Sequence, residues 1–568
     1  MTAVTHANAA EPLAPEDPRR WITLTIVIIS AFIVVLDNTV LNVAIPTILR
    51  EFHTTLPSLE WVITGYALTF ATFLIIGGRL GDVYGHRRVF VIGAALFGVG
   101  SLLASVSHSV GMMIIGEAII EGIGASLMLP ATLAILSTTF HGRERATAFA
   151  AWGATAGVAA ASGPVVGGFL TNFYSWRWAF RINVVIAPLA ILGAMMFMPR
   201  GDRSARAVKV DAPGAALIAV GMFSLVFALS EGGIYGWITP IKDFTVAGHV
   251  VWPMTRAISV IPIFLAISAA ALVTFVFFEK AKERNNGSPL FEFAYLRFKT
   301  YRYGLLTGVV IAMGQLGISF VLPVFLQDGR HISPWHNGLW VLPSGLFIIV
   351  GAQLGGRLIQ RYGTIQIVRS GLVIYELGLL WMLHVISLHI TALELLPGLA
   401  LYGLGVGFAL AQLTNVVLSE IPPEGSGVAS GANTTVRQVG SALGVAVIGT
   451  VLTVQTVGHA TQLIKSAALP AALKVQALAG VHARASGYAP PGNASRASAA
   501  VIRSALESGV VHGTRVALMF AFVVVAIGSL LSLLIPNRAP VPADTVRHGA
   551  DGFEPVEPLD PDPALLVH

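Results

Sequence analysis

The chain has 568 residues, of which 55% are apolar and only 11% charged. A soluble chain usually carries about 25% charged residues, so this composition excludes a soluble globular protein and fits a bilayer. There is no cysteine, which excludes disulfides, thiol catalysis and Cys-ligated metal. The net charge of +6 lies in loops between apolar runs and not on a basic face, which argues against nucleic acid as a partner.

Residues 1–20 are polar and form an N-terminal segment. The apolar run that follows, as far as Pro46, is too long for a signal-peptide core and has no small-residue cleavage pattern. It reads as a retained first span. A spanning helix needs about 20 apolar residues. Fourteen candidates follow one another at 21–46, 58–78, 89–107, 110–133, 146–171, 178–198, 213–231, 258–278, 303–327, 337–358, 367–388, 392–419, 428–453 and 514–535.

Arg19 and Arg20 precede the first span. Arg87 and Arg88 follow the second, Arg143 and Arg145 the fourth, and Arg200, Arg203, Arg206 and Lys209 the sixth. Lys280, Lys282, Arg284, Arg297, Lys299 and Arg302 follow the eighth, and Arg361 and Arg369 the tenth. All fall on one side, so the positive-inside rule predicts both termini in the cytoplasm. Residues 454–513 form a long external loop in this reading, helical in part at the membrane surface. Residues 537–568, rich in Pro and Asp, read as a disordered tail.

An internal repeat divides the chain. Gly77-Gly78-Arg79-Leu80 ends the second span and Tyr84-Gly85 follows. Gly355-Gly356-Arg357-Leu358 ends the tenth, and Tyr362-Gly363 follows at the same spacing. Two related bundles are expected: residues 21–200 and 303–536, with a central two-helix insertion and its linkers at 201–302.

The motifs sharpen this. Gly78-Arg79-Leu80-Gly81-Asp82-Val83-Tyr84-Gly85-His86-Arg87-Arg88 resembles the loop between the second and third helices of the major facilitator superfamily. In that family the loop latches the cytoplasmic gate, which implies gating roles for Gly78, Arg79, Asp82, Gly85, Arg87 and Arg88. The fifth span holds Gly153, Gly157, Gly163, Pro164, Gly167 and Gly168, spaced for close helix approach, and its 162–168 stretch is similar to the antiporter motif. Leu36-Asp37-Asn38-Thr39-Val40-Leu41-Asn42-Val43-Ala44-Ile45-Pro46, Trp176-Arg177-Trp178-Ala179-Phe180 followed by Asn183, and the 431–444 stretch around Arg437-Gln438 resemble marks of the fourteen-helix drug:proton antiporters. The resemblance covers roughly residues 21–536. It implies an all-α polytopic protein with the major facilitator fold, arranged six-plus-two-plus-six in a bacterial cytoplasmic membrane.

Asp37 is the foremost candidate for proton coupling, because a carboxylate inside a spanning helix is costly and marks function. The fourth span departs from the family, which has Arg and, four residues later, Gln. Here Glu117 and Glu121 stand at those places, on one helix face. Two buried like charges repel, so at least one binds a proton near neutral pH. They form either a second proton site or a cation-attracting patch, or else a pair neutralised by an Arg elsewhere. Further polar candidates for the cavity are Asn42, Gln315, Glu376, Gln412, Asn415 and Arg437, with Arg437 a possible partner for a carboxylate. There is no phosphate loop of the Gly-x-x-x-x-Gly-Lys-Ser/Thr type and no His pattern for a metal. No cofactor and no enzyme activity are expected. The expected partners are protons, a small-molecule substrate and the lipid bilayer, with a monomer as default. Export of drug-like, lipophilic or cationic compounds leads. Export of an endogenous metabolite, lipid or peptide comes second, and a non-transporting sensor or scaffold last.

Overall fold

The computed structural model describes residues 19–536, apart from 141, 199–210, 247–248, 286–288, 292, 422–425, 485–487, 489 and 493. Residues 1–18, the linker arginines at 200, 203 and 206 with Lys209, and the tail 537–568 therefore lie outside the described residues. So do the side chains of Arg79, Asp82, Arg143, Arg145 and Gln360.

The described residues are 85% helical. In chain order the helices are α1 (Arg20–Phe52), α2 (Leu56–Tyr84) and α3 (His86–Ser105). Helix α4 runs from Val110–Met113 through a π-helical segment, Ile114–Glu121, into Gly122–Thr139. Then come α5 (Gly142–Phe173), α6 (Arg177–Phe197), α7 (Ala212–Tyr235) and α8 (Val260–Arg284). Helix α9 (Lys299–Val324) ends in a wide turn, Phe325–Gly329. The series closes with α10 (Pro334–Tyr362), α11 (Thr364–Val385), α12 (Ala392–Leu418), α13 (Ser426–Ser466), α14 (Ala471–Arg484) and α15 (Arg496–Leu533). Among the described residues, 12 helices are long and apolar enough to cross a membrane. In a bilayer core only internally hydrogen-bonded segments are tolerated, and capping supports these: Ser333 accepts from the amide of His336 at the start of α10, and Thr391 and Glu394 form a reciprocal capping box on α12.

Three features differ from the sequence reading. Helix α2 does not end at its Gly-Gly pair but continues to Tyr84, and the predicted loop shrinks to Gly85 at φ 94°. Gly363, at φ 81°, makes the same one-residue turn between α10 and α11. Only glycine adopts this backbone without strain, so the repeat marks two matching helix–Gly–helix corners at one end of the molecule. Second, α13 runs 13 residues past its predicted end, from 453 to Ser466, and α14 and the start of α15 fill most of 454–513. Ala460, Ile464, Ala477, Val481 and Ile502 bury together there, because the apolar residues recur at helical spacing. Third, a two-stranded antiparallel hairpin, β1 (Phe244–Val246) and β2 (His249–Trp252), joins α7 to α8.

At the end opposite the two glycine corners, the halves of the chain interlock. The carbonyl of Pro334 at the start of α10 sits against Gly168 of α5, and the carbonyl of Pro164 against Gly338. Either position would collide with a side chain, so bare backbone is what permits the approach. Gln327 donates to the Val43 carbonyl at 2.7 Å, and Arg50 faces Asp328 at 3.6 Å. Helix α2 lies along α13 and α5 along α10.

Helices α7 and α8 pack on each other, with further contacts to α2 and α13. Asp211 anchors this pair. It caps α7 through the amide of Gly214 at 3.1 Å and meets the Lys282 ammonium of α8 at 2.7 Å. Burial alone would push the Asp211 carboxyl up, but Lys282, a hydrogen bond from the neighbouring Glu279 carboxyl and the Gly214 amide outweigh it and hold the group below the ordinary carboxylate range. A carboxyl whose folded value is depressed adds stability above its unfolded value and loses it as pH falls through the folded one. Lys282→Met should therefore lower thermal stability in detergent at pH 7, with the difference from wild type shrinking as the solution is acidified to about pH 3.

Candidate functional site: a buried carboxylate cluster beside a central recess

Asp37 of α1 and Glu117 and Glu121 of α4 converge in the interior of the first helical bundle. They are 4%, 1% and 0% exposed. One oxygen from each lies within 4.8 Å of the others. The π-helical segment spans both glutamates, a local widening frequent at functional sites. Asn183 of α6 donates from Nδ2 to Asp37 Oδ1 at 2.8 Å and to Glu121 Oε1 at 3.1 Å. Ser101 of α3 donates to the same Glu121 oxygen at 2.5 Å. The second oxygens of Asp37 and Glu121, and Oε2 of Glu117, have no hydrogen-bond partner.

Among the described residues, no Lys, Arg or His makes an ion pair with any of the three. Of the two readings the sequence leaves open, the described residues offer no neutralising Arg. Arg437, the one named candidate, packs against Gly308 of α9 and pairs with no described carboxylate. Three carboxylates this close in an apolar interior cannot all be charged, so the cluster must hold protons, a cation or both. The three oxygens would suit a cation by number, but the Asn183 amide directs its hydrogens between Asp37 and Glu121. A donor at the centre favours protonated carboxyls over a metal ion.

Asp37 faces α3, α4 and α6. Thr39, Asn42 and Val43, two to six residues further along α1, line a recess between the two halves with Pro164, Gln315, Ile318, Ser319, Leu322, Val341, Ser344 and Tyr402. The recess holds about 70 Å³, less than a drug-sized pocket of about 300–1,000 Å³. The acids and the recess thus lie on two faces of one helix. Of the polar residues expected in the cavity, Asn42 and Gln315 line it. Glu376 instead accepts a hydrogen bond from Ser529 of α15, Gln412 accepts from Asn415 at 3.1 Å, and neither they nor Arg437 reach the recess.

Of the expected gating residues, Gly85 forms the α2–α3 corner, and Arg87 donates to the carbonyls of Met198, at 3.2 Å, and Met195, which places a cation at the C-terminus of α6. Arg88 is exposed, and Gly78 lies beside Pro130 of α4. Gly163 and Gly167 let α5 press onto Thr39 and Val40 of α1, while the surroundings of Gly153 and Gly157 lie outside the described residues. Trp176 and Arg177 clamp Glu51, with Trp176 Nε1 donating at 2.6 Å. Asn183 and Ser101 were not foreseen as site residues. Asn183 sat in a quoted motif, whereas Ser101 carried no signal.

An all-helical multi-pass protein with a recess between its halves has the architecture of a membrane transporter. The family model described as Major Facilitator Superfamily matches residues 27–445, and the chain belongs to that superfamily. It is 36% identical over 451 residues to the "Probable actinorhodin transporter" of Streptomyces coelicolor, covering 78% of this chain and 74% of that protein. It is 29% identical over 546 residues to the "Tetracenomycin C resistance and export protein" of Streptomyces glaucescens, covering 94% and 96%. Among solved structures, a bacterial homologue of the human lysosomal transporter Spinster, in an inward-facing and occupied conformation, superposes with a TM-score of 0.59 at 15% identity, covering 91% of this chain and 97% of that one. The protein is a multi-pass transporter of the bacterial inner membrane.

The Asn183 contacts generate a test that needs no substrate. Asn183→Leu keeps the volume and removes the donors, and hydrogen bonds to charged groups contribute about 1.5–3 kcal/mol. The variant should melt below wild type at pH 9, and the gap should narrow toward pH 5, where the carboxyls carry protons anyway. A gap that does not change with pH would show that Asn183 only fills space.

Proposed function

We propose that this protein exports small, lipophilic compounds in exchange for protons by alternating access. In this reading fourteen helices cross the membrane and both termini lie in the cytoplasm. The end bearing the Gly85 and Gly363 corners faces inward, and the interlocked end faces outward. The two bundles rock about the central recess, with α7 and α8 riding between them.

The observation that carries the reading is the cluster of Asp37, Glu117 and Glu121, which no base among the described residues pairs. A scaffold has no use for three buried acids with no counter-charge, since each is costly in a membrane interior. A proton carrier does, because loading and unloading the cluster changes its charge. Helix α1 offers the acids on one face and recess-lining Thr39 and Asn42 on the other, so a shift of α1 on protonation reaches the substrate side directly. The superfamily's Arg is replaced here, so proton release has to come from repulsion among the three carboxylates themselves. The lining of the recess is apolar with neutral polar groups, which favours lipophilic over strongly cationic substrates. Export of a compound the cell makes for itself is a second reading, favoured by the relative named for export of tetracenomycin C.

Asp37→Asn should insert normally and reduce resistance to lipophilic antibiotics to that of cells without the protein. Undiminished resistance would refute the coupling role. Glu117→Gln and Glu121→Gln should each flatten the dependence of export on external pH. Adding an exported compound to the purified, lightly buffered wild-type protein should release protons, and the Asp37→Asn protein should release fewer.

A further inference from the structure

A second buried acid lies outside the cluster. Glu60, near the outer end of α2, is 0% exposed, and neither of its carboxylate oxygens has a hydrogen-bond partner. It lies in the seam where α2 meets α13. Its carboxylate rests on the bare backbone of Gly449, so close that a Cβ there would collide with Oε1 and Cδ. Phe320 of α9 closes the third side. Next to it, Trp61 donates from Nε1 to Glu231 Oε1 of α7 at 2.7 Å and packs against Phe223 and Phe227. Glu231, Trp61, Tyr235 and Lys242 line an open recess of about 320 Å³ with Thr55 and Ser58.

The charged surroundings are one-sided. The ionisable group that faces Glu60 is Glu231 on α7, itself facing Lys242 and Tyr235. Gly449 of α13 and Phe320 of α9 bring no charge. Among the described residues no base pairs with Glu60. An unpaired, fully buried carboxylate is not tolerated in its charged form, so the seam closes only around a neutral Glu60.

We propose that Glu60 is a proton-operated latch on the outer gate: it must take a proton from the outside before α2 and α13 can close on each other, and it loses that proton to external water when they part. The recess beside Glu231 is the water-accessible approach. The proton travels with the closing step, which is the step that returns an exporter to its inward-facing state after substrate has left. The latch is thus a proton site separate from the Asp37 cluster, on the seam between the bundles and not inside one.

The inference rests on alternating access with this end outward, and its test reads the gate without transport. The chain has no cysteine, so Val43→Cys on α1, 1% exposed and lining the central recess that the closed outer end shuts off, provides a single reporter. Labelling by a membrane-impermeant maleimide, added outside spheroplasts and divided at each pH by the rate for the same cysteine in denatured protein to remove the thiolate's own pH dependence, should quicken by at least about tenfold between external pH 5.5 and 8.5. Glu60→Gln, permanently neutral, should label slowly at both pH values. Glu60→Asp, which still titrates, should keep a pH-dependent profile, and it serves if the Gln variant fails to insert. A flat profile in the Val43→Cys background alone, a flat profile for Glu60→Asp, or a wild-type profile for Glu60→Gln would each overturn the latch. Asp37→Asn in the same background separates the two sites. If it abolishes the pH dependence while Glu60→Gln leaves it intact, the gate senses the cluster and the latch is wrong, although proton coupling stands. If Asp37→Asn keeps the profile and Glu60→Gln removes it, the latch holds whatever the outcome of the export assays.

Discussion

A carboxylate removed from water must be paired, hydrogen-bonded or protonated, and this protein buries Asp37, Glu117 and Glu121 together without a base among the described residues. Everything around the cluster follows from that constraint. Asn183 and Ser101 supply the few donors, and Asn183 ties α1 and α4 to α6. The remaining oxygens are left for protons. A soluble enzyme would solvate such a group, but an apolar bundle offers no water, so the charge of the cluster and the packing of α1 are coupled.

The second constraint is close backbone approach. The two halves meet at the end opposite the glycine corners through Gly168 against Pro334 and Gly338 against Pro164, contacts with no side chain between the helices. Such a seam gains little from burial of apolar area in a membrane, because lipid is as apolar as the partner helix. It gains from van der Waals fit and a few polar contacts such as Gln327 to Val43. A seam of this kind opens at modest cost, which suits a gate, and a single uncharged or charged carboxyl at Glu60 is enough to bias it.

Much of this was legible in the chain. Spans are long and their composition is extreme, so the bilayer requirement of about 20 apolar residues can be read off directly. The Gly-Arg-Leu repeat pointed to two related halves, and the helix–Gly–helix corners at Gly85 and Gly363 are its structural form. Asp37, Glu117 and Glu121 stood out because acids are rare in such segments. The extension of α2 through Tyr84 was not legible, because Gly78, Gly81 and Asp82 look like a loop in isolation and are held helical by neighbours such as His86, which packs on Gly81. Part of 454–513 was expected to be helical, but not that α13 and α15 run unbroken into it, because its polar residues end the apolar runs; the hairpin between α7 and α8 was hidden by its brevity.

The sequence by itself determined that the protein lives in a membrane, that it has two related halves, and which acids lie within its spans, because those properties depend on composition and spacing along the chain. Only the tertiary structure decided that Asp37 faces Glu117, Glu121 and Asn183 and not an Arg, that Glu376 turns to Ser529 and away from the recess, and that Glu60 lies in the seam against Gly449. Those facts depend on which faces of separate helices meet, and helical periodicity says that a face exists without saying what it meets. For a buried acid, the meeting decides its charge: beside an arginine it forms an ion pair, and beside another acid it cannot stay charged alongside its neighbour.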